Sequence, residues 1–238
     1  MKAERVVLTP VYLLHQRAWR ETSKLLEIWS REHGRVGLVA RGVRRPNSPQ
    51  RSLLQPFGPL LMSWTQRGEL GNLGAVEAAG APAGLRGRPL MAAFYMNELL
   101  LRLVARQDAH PHLYEVYAHT LKALAGDNPA AALRMFELQL LSAIGYGLNL
   151  DQVAGSREQV QADQDYLYDL EAGPRPAQGR KGPGVPIRGR SLLALYGGAL
   201  DDAEDLKAAK RLLAAALEPH LQGRALKTSS VMRALARR

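Results

Sequence analysis

Arg17, Arg20 and Lys24 cluster beside Trp19, and Arg35, Arg41, Arg44, Arg45 and Arg51 follow closely along the chain. Guanidinium groups at this density, interleaved with an aromatic ring, suit nucleic acid: arginine grips phosphate through two parallel N–H bonds, and rings stack on bases. A second group comprises Lys207, Lys210, Arg211, Arg224, Lys227 and Arg233. Lys207, Lys210 and Arg211 stand at i, i+3 and i+4 and share one helix face, with Leu206, Leu212, Leu213 and Leu217 opposite. This second group reads either as a solvated face or as a further polyanion contact. Trp29 and Trp64 lie inside apolar runs and are expected in a core, while Trp19 is open between packing and base stacking.

Residues suited to covalent chemistry are harder to assemble. Asp201, Asp202, Glu204 and Asp205 resemble a metal-binding cluster, but helix capping and complementarity to the helix dipole account for them. Asp163, Asp165, Asp169 and Glu171 lack the glycine and glutamate positions of a calcium loop. His110 and His112 have no further ligand at helical or finger spacing. There is no phosphate-binding glycine loop ending in Lys-Ser/Thr, no nucleophile elbow and no HExxH pair. A metal-dependent nuclease using the acidic clusters is the enzyme alternative, and no cofactor is expected.

The charge distribution supports the first reading. The 238 residues carry a formal net charge of +10. Residues 1–80 hold 12 Lys+Arg against 6 Asp+Glu, residues 91–171 hold 5 against 11, and residues 206–238 hold 8 against Glu218 alone. Basic ends around an acidic middle imply surfaces that attract a polyanion and one that avoids it. Cysteine is absent, which excludes disulfides, thiol nucleophiles and thiolate zinc sites. The N-terminus lacks a signal-peptide apolar region, and no run of 18 apolar residues occurs. A cytoplasmic protein with no membrane partner is expected.

Two kinds of element must position these side chains. Val6–Leu14, Thr22–Trp29, Arg35–Ala40, Leu60–Trp64 and Leu70–Ala78 read as strands, with Pro10 at an edge or bulge and turns at Gly34 and Arg67-Gly68. Arg44–Ser52 is a polar break. Five short strands in this length match an OB-type barrel. After Gly80–Gly84 the apolar period becomes helical over Leu90–Ala105, His112–Leu124 and Ala130–Ile144, with Pro129 opening a helix and Gly145 closing one. Residues 149–190 lose periodicity and are either an inserted subdomain or a mobile loop. Gly189–Tyr196 and Asp202–Leu217 read as the last helices, the second capped by Asp201-Asp202.

Glu21-Thr22-Ser23, Gly34-Arg35-Val36, Val39–Arg45, Leu54–Phe57, Tyr95–Leu99, Leu133–Leu138, Gly145-Tyr146-Gly147 and Ala209-Lys210-Arg211 occur in the order seen in the bacterial recombination mediators of the RecO family. The chain resembles that family over nearly its whole length. The resemblance implies an α+β chain of two domains: an OB-type five-stranded β-barrel over 1–80, then a helical domain over 81–238 with an irregular finger-like insertion at 149–190. It also implies binding of single- and double-stranded DNA, annealing of complementary strands and, with RecR, loading of RecA onto DNA covered by single-strand-binding protein (SSB). The RecA filament would be an indirect partner, the site nucleoid-associated, and no covalent chemistry is implied. A general OB-type nucleic-acid chaperone acting on RNA is the alternative.

SSB, as implied by the resemblance, offers an acidic C-terminal tail ending in an aromatic residue, which calls for an apolar slot and a cation. The helix carrying Leu133, Arg134, Phe136, Leu140 and Leu141 offers both, and Arg134 is the sole basic residue between Lys122 and Arg157. The same residues also read as an ordinary core helix with one solvated arginine. Some relatives carry a four-cysteine zinc finger after the Gly-Tyr-Gly turn. Here Asn149–Ser156 and Tyr166–Gly173 contain no cysteine, so the finger is expected to be metal-free.

Overall fold

The computed structural model describes residues 4–177, 182–221, 223 and 225–228. The fold is α+β, and its first element is unusually long. Strand β1 (Glu4–Trp19) pairs with β4 (Pro59–Gln66) through its first half and with β2 (Ser23–Ser30) through its second. Register breaks between Val6 and Thr9 and between Leu13 and His15 bend it enough to serve both neighbours. Pro10, which cannot donate to a ladder, lies between these two irregularities. With β3 (Gly34–Ala40) and β5 (Leu70–Ala78) the five strands close in the order β1-β2-β3-β5-β4, and β3 and β5 run parallel. This is the expected OB-type barrel.

Alternation fills its interior. Val11, Leu13, Leu26, Ile28, Val36, Leu38, Ala40, Leu60, Met62 and Trp64 point inward and are buried together. Val43 and Leu54 join them from the connection that holds the single-turn helix α1 (Gln50–Leu53), a segment expected to be only a polar break. One turn of helix is too short for a period to show in sequence.

Two helices, α2 (Gly87–Leu103) and α3 (Pro111–Ala123), cover part of the barrel's outer face. Tyr12 packs against Tyr114 and Tyr117, with centroids 5.5 and 5.1 Å apart. Asn97 donates to the Leu14 carbonyl at 2.9 Å and accepts from the Tyr117 hydroxyl at 2.7 Å. Trp29 is fully buried with the His110 ring stacked on it, and His110 also meets Asp108 at 3.0 Å. By compactness, residues 4–125 and 226–228 form one unit, and the described residues of 126–225 form a second. The strand-to-helix change at residues 80–84 marks a change of element type within the first unit. Lys227 and Thr228 return to it by hydrogen bonding to the Glu98 carboxylate.

The second unit contains α4 (Pro129–Ala143), α5 (Gly189–Gly197), α6 (Ala203–Leu217) and a 3-10 turn at Glu218–Leu221. Asn128 caps α4 before Pro129, and Gly145 follows with φ +87. Asp202 caps α6, accepting from the Glu204 and Asp205 amides, which hold its carboxyl below the usual range. The stretch that carries no period contains an antiparallel sheet, β7-β6-β8, built from β6 (Asp165–Asp169), β7 (Gly173–Pro176) and β8 (Val185–Arg188). Strands of four or five residues, two of them bearing proline, are too short and broken for alternation to be read.

Candidate nucleic-acid interface

The cationic end of the barrel is assembled by two connections. Arg17 and Trp19 occupy alternate positions at the end of β1 and so share the outer face. Arg20 turns the chain with φ +51, a left-handed conformation that non-glycine residues rarely adopt. Its carbonyl accepts from Arg44 Nη1 at 3.0 Å, and the Arg44 amide donates to Thr22 at 2.9 Å. The β1–β2 turn and the loop after β3 are thereby stitched together. Buried Val43 anchors that loop from beneath, leaving Arg41, Arg44 and Arg45 exposed around it.

Lys24 sits on the rim, paired in register with Ala18 on one side and Ala40 on the other, and its ammonium donates to Gln16 Oε1 at 2.8 Å. Gln16 in turn donates to the Leu54 carbonyl at 3.0 Å, linking β1 to the end of α1, the helix that carries exposed Arg51. Among the described residues, none of Arg17, Arg20, Lys24, Arg41, Arg44, Arg45 and Arg51 pairs with a carboxylate. No Asp or Glu occurs between Glu32 and Glu69, so the segment carrying Arg41, Arg44, Arg45 and Arg51 brings no carboxylate of its own. Unneutralised guanidinium groups held by a stitched backbone can receive several phosphates with little reorganisation.

Arg35 stands apart from this group. It lies opposite Trp29 at the other end of the β2–β3 hairpin, its guanidinium hydrogen bonds to the Leu101 carbonyl, and it sits 3.9 Å from Glu27. Burial, partly offset by Glu27 and reinforced by neighbouring Arg106, lowers its pKa. Arg106 also pairs with Glu27. Sequence alone does not separate Arg35 from its neighbours, because the distinguishing carboxylate and carbonyl are distant in the chain.

The C-terminal cations divide as well. Lys207, Lys210 and Arg211 are exposed on α6, while Leu212, Leu213 and Leu217 are buried behind them. Lys207 and Arg211 line a cleft of about 750 Å³ with β6, β8 and Arg190, and Arg211 hydrogen bonds to the Pro186 carbonyl. Lys227 belongs to the first unit, whereas Arg224 and Arg233 lie outside the described residues. Arg190, absent from the expected set, is held by Asp202 at 3.0 Å and Asp205 at 3.3 Å.

Leu133, Phe136, Leu140 and Leu141 are buried in the second unit. Arg134 is buried too, its side chain 10% exposed, and it meets Glu137 at 3.0 Å. An acidic peptide would have to compete with Glu137 for this guanidinium. Among the described residues no three His, Asp or Glu side chains are placed to share a metal ion. Nor is any described helix long and apolar enough to cross a membrane.

Comparison with known proteins places this architecture. Residues 1–81 match the family model described as Recombination protein O N terminal, and residues 87–230 match Recombination protein O C terminal. The chain is 48% identical to the DNA repair protein RecO of Nitrosococcus oceani, over 98% of this chain and 95% of that one. It is 46% identical to the DNA repair protein RecO of Methylococcus capsulatus, over 96% and 94% of the two chains. Identity to the DNA repair protein RecO of Alkalilimnicola ehrlichii is 46%, over 100% and 95%. A five-stranded barrel followed by helices, matched along both halves, thus makes this chain a member of the RecO family.

Proposed function

We propose that this protein acts in DNA repair and homologous recombination as a mediator. It binds single- and double-stranded DNA, anneals complementary strands and, with RecR, helps load RecA onto single strands covered by SSB. It works without covalent chemistry, in the cytoplasm at the nucleoid. The observation that carries this reading is the group of exposed cations at the turn end of the barrel, with no carboxylate partner among the described residues. Family membership supports it, since relatives matched over nearly their full length are named DNA repair proteins.

The physics of annealing fits such a surface. Two complementary strands repel through their phosphates, and cations that displace condensed counterions lower that repulsion while the bases find register. In this reading Arg17, Arg20, Lys24, Arg41, Arg44, Arg45 and Arg51 contact phosphate, with Lys207, Lys210, Arg211 and Lys227 as further contacts. Arg35 is assigned to the fold. The SSB tail docks on the α4 region with Arg134 as its cation, released from Glu137 when the tail carboxylates arrive.

Fluorescence anisotropy of a labelled single strand across a salt series, repeated with a labelled SSB tail peptide, tests the reading. Affinity for DNA is expected to fall steeply as salt rises, and the peptide is expected to bind. Arg134→Ala should lose the peptide while keeping DNA; unchanged peptide affinity removes Arg134 from that site. Preference for RNA with no affinity for the peptide would replace the mediator reading with a general chaperone.

A further inference from the structure

We propose that Trp19 is a stacking platform for an unpaired nucleobase, and that it biases the basic end of the barrel toward single strands over duplex. The inference rests on the phosphate-binding reading above and names the base contact within it.

The three tryptophans behave differently. Trp29 and Trp64 are 0% and 2% exposed, whereas Trp19 is 37% exposed. An indole carries more apolar surface than any other side chain, so leaving it in water forgoes burial that would stabilise the fold. Nor is its backbone loosely held. Trp19 is paired with Ser23 in the β1–β2 ladder, and the next residue, Arg20, is held in its left-handed turn by Arg44. The partly exposed ring is therefore carried at the edge of a stitched turn.

Its surroundings suit a flat, anionic polymer. The Arg17 guanidinium carbon lies 5.9 Å from the ring centroid, a cation–π distance, so one positive charge is already fixed beside the indole. Leu25 and Val39, paired across β2 and β3 and half-buried, continue the same outer face as a low apolar floor. Farther along, that face is closed: Tyr12 and Trp29 are buried beneath α2, α3 and His110. A base can thus lie on the ring only at the turn end, where Arg17, Arg20, Arg41 and Arg44 await the flanking phosphates. Bases within a duplex already stack and pair with one another, so only an unpaired base can exchange that stacking for an indole.

The test uses the full-length protein with three labelled ligands: an oligothymidylate of about 15 nucleotides, an abasic oligomer of equal phosphate count, and a duplex. Trp19→Ala should weaken oligothymidylate binding about tenfold without changing the salt dependence, and should leave the abasic oligomer and the duplex unaffected. Trp19→Phe should retain most of the affinity. Oligothymidylate should also quench the intrinsic fluorescence of the native protein, and this quenching should vanish in Trp19→Phe, because Trp29 and Trp64 are buried. A folded Trp19→Ala protein that binds oligothymidylate normally overturns the proposal and leaves the phosphate reading standing. Equal losses on the base-bearing and abasic oligomers overturn it too, since the ring would then act only by placing Arg17. Absence of quenching in the native protein overturns it even if the alanine variant fails to fold. Failure of the native protein to bind any of the three defeats the phosphate reading itself.

Discussion

The outer face formed by β1, β2, β3 and their connections has a covered part and an open part, and they treat the same residue types in opposite ways. In the covered part, Arg35 and Arg106 meet Glu27, and Arg31 meets Glu115 at 2.8 Å. In the open part, Arg17, Arg20, Arg41, Arg44 and Arg45 have no carboxylate among the described residues. The aromatics follow the same division, with Tyr12 and Trp29 buried and Trp19 exposed. An arginine's place in this chain is thus decided by what lies across from it. Where helices pack on the barrel, arginine charge meets a carboxylate; where they do not, the guanidinium groups stay exposed with no carboxylate among the described residues.

Reversing the open part should have the largest effect. Arg41, Arg44 and Arg45 changed together to Glu should weaken single-strand binding by at least about a hundredfold at moderate salt. The slope of log affinity against log salt should become shallower by about 2, three lost contacts at roughly 0.7 each. Arg31→Ala, on the covered part, should leave both quantities at their native values. Equal effects in a salt titration of the two variants would erase the division.

Next comes the buried link between barrel and helices. Asn97→Ala leaves the Leu14 carbonyl and the Tyr117 hydroxyl without this partner, in a place where water does not reach. Chemical denaturation should show a loss of about 2–3 kcal/mol, with the DNA salt slope unchanged in protein that remains folded. Arg35→Ala should cost somewhat less, about 2 kcal/mol, by removing a charged donor from the Leu101 carbonyl. If instead it weakened DNA binding and flattened the salt slope in a folded protein, Arg35 would rejoin the phosphate contacts.

The smallest effect is expected at Glu98. Burial alone would raise its carboxyl, but hydrogen bonds from the Thr228 and Lys227 amides and the Thr228 hydroxyl, with Arg102 beside it, outweigh burial and hold it below the ordinary value. Because the folded-state pKa is depressed, the stabilisation is complete above the unfolded pKa and is lost as pH falls through the folded one. Glu98→Gln should cost about 1 kcal/mol at neutral pH. Thermal melts of the native and variant proteins should converge on acidification; a constant gap down to the acid limit would remove this carboxylate from the pH response.

Much of the fold was legible because its elements are long and regular. Four of the five barrel strands, the helices opened by Pro129 and by Asp202, and the core positions of Trp29 and Trp64 follow from period, proline, glycine and capping chemistry, whereas β1 runs on to Trp19, five residues past its expected end at Leu14. The sheet at 165–188 and the single turn at Gln50–Leu53 escaped that reading because each is too short to display a period. The candidate site was legible in part. Seven of the cations expected to contact phosphate in the first 51 residues lack carboxylate partners among the described residues, and Arg35 does not join them.

What the sequence determined by itself was therefore composition and local geometry: a basic N-terminal segment over residues 1–80 with no carboxylate from His33 to Gly68, and strands that alternate. Tertiary structure decided which charges are used up and which ring is left in water. Partners such as Glu27 for Arg106, Glu115 for Arg31 and Tyr117 for Asn97 are separated by 79, 84 and 20 residues. Neutralisation and burial depend on distances in space, and no local pattern along the chain encodes them.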